Sequence, residues 1–438
     1  MKKTLLSLLV GFGMSSAVLA DDLYQVYQQA LQNDPATLQS KALKEAAFAG
    51  IERSRAGLLP EISLSLSASE TYGDLERSTN DATLNLSQTI YDRSVWIGFD
   101  RAELVASQAD ENLGLAMQNL ILRTVSAYFD TLQAQDDLEF ASAEKRAIER
   151  QLEQTKQRFE VGLTAITDVH EAQAQYDTSV ASEISAQNGV ETNLEALREI
   201  TGNYYPSLDV LDKSKFSASM PSPASIHDWL KMAEERNLQL MASNSSVDIA
   251  KFDIDSARSG HYPTLSLGAR ANSNDTEGTA SDPGNTAAAD RFNTYGVQLT
   301  LNVPIYSGGL TSANVDSAKF NFVASSENRE RIHRSVIRSV RSNYNDVKAA
   351  ISRIKAFEQA VVSAESALKA TEAGFDVGTR TIVDVLNSTR NLFDARRNLS
   401  GVRYGYIVST LSLKLAAGSL SEQDVLDIDQ GLTSPIKK

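Results

Sequence analysis

Any catalytic or metal-binding chemistry in this 438-residue chain would have to come from four histidines and its carboxylates, because it contains no cysteine. His170, His227, His261 and His333 are scattered, with no ligand spacing between them, so each reads as a surface or packing residue. No nucleophile elbow, P-loop, metal motif or pair of catalytic carboxylates is present. Neither an enzyme activity nor a cofactor is expected, and a secreted hydrolase is disfavoured. The missing cysteine also removes disulfides, thiolate metal sites and a lipidated N-terminus. A net charge of −14 argues against nucleic acid as a partner. The polar residues are therefore left with positioning, assembly and weak ion binding.

The elements that would position them begin after a secretory signal. Lys2 and Lys3 precede a short apolar run, and the small residues ending at Ala20 offer a cleavage site, so residues 1–20 are expected to be removed. The mature charge is then about −16, after loss of two lysines. No later apolar run is long enough for a transmembrane helix, so a membrane-embedded part must be a β-barrel.

The remainder is a tandem repeat. Arg55 to Leu64 recurs as Arg258 to Leu267, Leu86 to Tyr91 as Leu301 to Tyr306, and Phe159 to Val169 as Phe375 to Val385, in the same order. The expected organisation is a first repeat at 21–202, a linker at 203–236, a second repeat at 237–417 and a C-terminal segment at 418–438. The linker, the C-terminal segment and residues 21–34 are expected to form a small side domain. Within each repeat a short helix (35–58; 238–262) precedes two strands with strict apolar/polar alternation (61–69 and 83–91; 264–272 and 296–304). Ile62, Leu64 and Leu66 face one way and Ser63, Ser65 and Ser67 the other. The polar stretches 70–82 and 273–295 read as loops. Tyr72, Tyr91, Tyr262, Phe292, Tyr295 and Tyr306 fall where an interfacial aromatic girdle would lie.

A very long helix follows each hairpin (94–160; 308–375), about 100 Å at 1.5 Å per residue. Ile337, Val340, Tyr344, Val347, Ile351 and Ile354 keep coiled-coil spacing. Gly162 and Gly378 close these helices, and half-length helices return (165–200; 381–415). The fold class is thus mainly α with a transmembrane β part, built from two repeats. Four membrane-length strands cannot close a barrel, so several chains are required.

Nearly the whole mature chain resembles the TolC family of outer-membrane efflux proteins. QVYQQAL at 25–31, RQLEQTKQRFEVGLTAITDV at 150–169, ITGNYYP at 200–206 and VGTRTIVDVL at 377–386 carry the resemblance. It implies a homotrimer whose twelve strands form one barrel, continued by an α-helical periplasmic tunnel. The implied partners are outer-membrane lipid, a periplasmic adaptor (membrane fusion) protein and, through it, an inner-membrane efflux pump or ABC exporter. The implied role is an exit duct for efflux and, among its open roles, type I secretion, without selection of cargo. A periplasmic adaptor is the competing class, and the duplicated membrane-length strands oppose it.

The resemblance also implies a gate at the periplasmic tip, closed by polar links involving Gln151, Thr167, Asp168, Phe375 and Arg380. Arg380 has Thr164 as its counterpart in the first repeat, so a cation on one hairpin could meet Asp168 on the next. Two departures stand out. The family's usual Tyr at 375 is Phe, and the second acidic position of the pore constriction, 387, is Asn387. Asp384 remains, either as a carboxylate in a threefold constriction or as a helix N-terminal residue facing the dipole.

Overall fold

Capping and turn residues set the bounds of the helices. In the computed structural model the described residues are 22–72, 75–280 and 290–434; the expected signal and its cleavage site lie outside them. Asp22 caps α1 (Leu23–Asn33) by accepting from the Gln25 backbone N–H at 2.6 Å. Then come α2 (Pro35–Ala56), strands β1 (Glu61–Thr71) and β2 (Leu75–Tyr91), α3 (Arg93–Glu160) and α4 (Ile166–Thr201). After β3 (Val210–Leu211), α5 (Ile226–Arg236) leads into the second set: α6 (Leu238–Ser259), β4 (Thr264–Ala280), β5 (Asp290–Asn302), α7 (Leu310–Asp376) and α8 (Ile382–Ala416). The chain closes with α9 (Glu422–Asp429) and β6 (Leu432–Thr433).

The structure corrects the expected loops. Residues 70–71, 75–82, 273–280 and 290–295 are strand, because β1, β2, β4 and β5 run past their alternating apolar stretches. A backbone ladder keeps its hydrogen bonds after the apolar rows end. Polar side chains on both faces then erase the period-two signal. At the other end of β5, residues 303 and 304 lie outside the strand; Pro304 has no N–H for the ladder.

The residues divide into two compact units. One holds most of α2, α6, the four long strands and the N-terminal parts of α3 and α7. Its strands form a single antiparallel sheet in the order β1-β2-β4-β5. Its helices are joined by polar links: Arg101 Nε to Asp253 Oδ1 at 2.7 Å, Gln108 Nε2 to the Ala242 carbonyl at 2.9 Å and Ser245 Oγ to Glu111 Oε2 at 2.9 Å.

The other unit holds α1, α4, α8, α9, most of α5 and the C-terminal parts of α3 and α7. Its main core gathers Leu23, Val26 and Tyr27 of α1, Leu120, Tyr128 and Phe129 of α3, Tyr404 and Leu411 of α8, and Val425 of α9. Phe129 stacks on Tyr404 with ring centroids 5.5 Å apart. The short pair β3–β6 is antiparallel, and Tyr24 Oη donates to Glu422 Oε1 at 2.8 Å, tying α1 to α9. The buried seam of α7 in this unit runs through Val340, Val347, Ala350 and Ile354. Ile337, Tyr344 and Ile351 of the expected seam lie half-buried beside it.

Candidate functional site

Register sorts the long strands into two chemically different faces. Leu64, Leu84, Ala271 and Tyr295 form one cross-strand row, and Ile62, Leu86, Ala269 and Val297 the next. The alternate rows read Ser63, Asn85, Arg270, Gly296 and Ser65, Thr83, Asn272, Thr294. The polar rows are knitted together: Thr83 Oγ1 donates to Asp81 Oδ1 at 2.8 Å, and Asn272 Nδ2 donates to Thr83 Oγ1 at 2.8 Å and to Asp81.

The apolar rows are uncovered. Leu66 is 73% exposed and Val297 77%. Such a patch suits a lipid surface, because aliphatic area gains about 25 cal/mol per Å² on leaving water. Tyr295 stands on this face, and Tyr72, Tyr91, Tyr262, Phe292 and Tyr306 are also exposed. Among the described residues both outer strands, β1 and β5, have a pairing partner on one side only. Among the described residues no helix is long and apolar enough to cross a membrane.

In the other unit, two helix–turn–helix tips are built alike. Leu163 N–H bonds to the Arg158 carbonyl at 2.8 Å and Gly162 N–H to Phe159 at 2.9 Å. Thr379 N–H bonds to Gly374 at 2.8 Å and Gly378 N–H to Phe375 at 3.0 Å. Both are Schellman closures, and the left-handed φ of 75° at Gly162 and 79° at Gly378 is why glycine stands there.

Phe375 is buried in an apolar cluster with Ile148 and Leu152 of α3, Ala172 of α4, and Ile382, Val385 and Leu386 of α8. The Arg158 guanidinium carbon lies 4.5 Å from its ring centroid, a cation–π contact between α3 and α7. Four helices are thus clamped around one aromatic ring.

The expected gate residues fall around this clamp. Thr167 and Arg380 are exposed and Asp168 half-buried. Asp168 accepts a hydrogen bond from Thr164 within its own tip. Arg380 lays its stem against Gly374, where an added Cβ would stand 2.7 Å from Arg380 Cγ. Its charge is felt by the Asp384 carboxylate. Gln151 Oε1 is buried without a hydrogen-bond partner among the described residues. Asp384 completes a capping box with Thr381. Donation from the Thr381 backbone and hydroxyl, with a further contribution from Arg380, holds its carboxyl below the usual range. Asn387 is exposed and accepts from Arg390 Nη2 at 3.3 Å.

Sequence reasoning missed a second set of links between α3 and α8. Arg397 donates to Glu144 and, within α8 itself, to Asp394 Oδ1 at 2.6 Å; Ser400 donates to Asp136, as does Tyr404 Oη at 2.9 Å. Burial pushes the Glu144 carboxyl up, against the lowering effect of Arg397. No motif marks this pair. At the repeat offset their counterparts are Ala360 and Ala181.

No group of three or more histidine and carboxylate side chains that could hold a metal ion occurs among the described residues. The outer membrane efflux protein family model matches residues 26–203 and 229–419. The chain is 47% identical to the outer membrane protein TolC of Vibrio cholerae, covering 96% of this chain and 95% of that protein. It is 43% identical to TolC of Escherichia coli, covering 99% and 90%. The solved CmeC outer membrane channel of Campylobacter jejuni superposes with a TM-score of 0.77 at 17% identity, covering 94% and 89%.

Proposed function

The chain belongs to the outer membrane efflux protein family, and on that premise we propose that three copies close one barrel in the outer membrane, continued into the periplasm by a helical duct gated at its tips. Efflux cargo leaves through this duct, and the chain acts without catalysis. The observation that carries the reading is the four-stranded sheet with an uncovered apolar face, a hydrogen-bonded polar face and an unpaired edge on both β1 and β5. Open edges are not tolerated in lipid, so β1 of one copy pairs with β5 of the next. Lipid covers the apolar rows and the polar rows line the lumen.

The gate follows from the same assembly. Arg380 is exposed on one tip, Asp168 and Thr167 lie on the other, and Gln151 holds a buried acceptor unmatched among the described residues. An unmatched buried acceptor costs about 1–3 kcal/mol, which a donor from a neighbouring chain would offset. Asp384 both caps its helix and, repeated by symmetry, supplies carboxylates to the constriction. A periplasmic adaptor docks the duct to an inner-membrane pump. Native mass spectrometry of the detergent-solubilised protein tests closure: a mass of three mature chains is expected, and channel activity from an isolated monomer would overturn it.

A further inference from the structure

Two glycines open a hollow on the polar face of the sheet. A Cβ at Gly296 would meet nothing within 4 Å, and one at Gly268 only backbone oxygens at 3.9 Å. The hollow has a volume of about 560 Å³. The polar-face residues around it are Asn85, Ser87, Gly268, Arg270, Gly296 and Gln298. Arg270 is exposed and pairs across the strands with Asn85 on one side and Gly296 on the other. Among the described residues its guanidinium makes one hydrogen bond, Nη2 to Thr83 Oγ1 at 3.4 Å, long for a charged donor.

Among the described residues no carboxylate of this face is in ion-pair contact with Arg270, although Asp81 is near enough to feel its charge. Asp81 is engaged by Thr83 and Asn272. Glu61 lies in the row of Ser87 and Gly268, out on the edge strand β1. The polar side chains of the hollow are therefore a fork of guanidinium N–H donors, two primary amides and a hydroxyl. That set recognises an oxyanion: the guanidinium takes two oxygens at once, and amide and hydroxyl groups satisfy the rest. The absence of side chains at the two glycines leaves room for the body that carries it.

We infer that the hollow around Arg270 is an oxyanion subsite on the duct wall, which takes the carboxylate, sulfonate or phosphate group of an anionic solute. The inference rests on the reading that the polar rows face a closed lumen, and a symmetric trimer would present three such sites. Its attraction is local, because the Debye length at physiological salt is about 8 Å.

Inorganic pyrophosphate is the probe. Wild-type trimers and Arg270→Gln trimers, matched for trimer content, are reconstituted in planar bilayers, and pyrophosphate is added on the barrel side. The expected result is a reversible fall in wild-type current that weakens with salt. In Arg270→Gln the apparent dissociation constant rises about tenfold, the loss of one charge-assisted contact, while Arg270→Lys retains part of the block. Equal block in wild type and Arg270→Gln would overturn the subsite. The Cys-free chain gives a second arm: the thiol introduced by Arg270→Cys should react with a water-borne, membrane-impermeant anionic thiosulfonate in assembled trimers. An unreactive thiol there would overturn the lumen-facing placement. Wild-type protein that forms no trimer would instead overturn barrel closure and the subsite with it.

Discussion

The two helical tips share a motif and a turn, yet they spend their side chains differently. Phe159 and Phe375 hold equivalent places in the repeat, but Phe159 is 41% exposed and Phe375 is 8% exposed. The position before Phe159 is Arg158, which covers the Phe375 ring, whereas the position before Phe375 is Gly374, which makes room for Arg380. Helix α4 starts at Ala165 without a side-chain cap, while α8 starts with the Thr381–Asp384 capping box. The first tip presents Leu163 to solvent where the second presents Thr379, while Val161 and its counterpart Val377 are exposed on both. Identical backbone closures thus carry one tip that is anchored and one that is displayed. The shared motif supplies the common geometry, and the residues that differ between the two copies supply the asymmetry.

The largest expected break in this comparison is Phe375→Ala. Truncating a buried aromatic costs about 3–5 kcal/mol, and the Arg158 contact goes with it. Hydrogen-exchange protection across 375–390 should collapse, with leakier channels in bilayers. Phe159→Ala should cost under about 1 kcal/mol, as an exposed position outside the cluster. Equal losses at the two sites would erase the distinction between an anchored and a displayed tip.

Capping gives a smaller and opposite pair of effects. Thr381→Ala removes the N-cap and should destabilise the start of α8 by about 1 kcal/mol. Ala165→Ser should add a cap to α4 and gain about 0.5–1 kcal/mol. Amide exchange at the first turn of each helix reads both. If Ala165→Ser weakens that turn instead, the missing cap at the first tip does not limit its stability.

The smallest effect is in acid. Because the Asp384 carboxyl is held below its usual range, its contribution is present above the unfolded-state value, near 4. It is lost as the pH falls through the depressed folded-state value. The α8 start should therefore loosen only below about pH 4, and Asp384→Asn should remove that acid-dependent step. A loosening of the same size in Asp384→Asn would assign it to another group.

How much of this could be read in advance varies with the physics. The paired glycines at 162 and 378 and the alternation of Ile62, Leu64 and Leu66 were legible, because a left-handed turn and a half-apolar strand each demand a residue type at a fixed place. The strand extensions through Asn80 and Asp275 were not, since a ladder with polar side chains on both faces has no periodic signature. The different fates of Phe159 and Phe375 could not be read from their shared motif; burial is decided by Ile148, Leu152 and Ala172, far away in sequence. The Glu144–Arg397 pair joins unduplicated residues 253 positions apart, so the repeat offers no guide to it. Asp384 was open between a constriction carboxylate and a helix-end residue, and the capping box establishes the second role without removing the first.

The central claim, that the duct is held shut at its tips by the second hairpin's Arg380 reaching the first tip of a neighbouring chain, is tested most directly by single-channel conductance of Arg380→Ser in planar bilayers, with trimer content measured in the same samples. A correctly assembled trimer with larger conductance than wild type is the predicted result; an assembled trimer with wild-type conductance would contradict it.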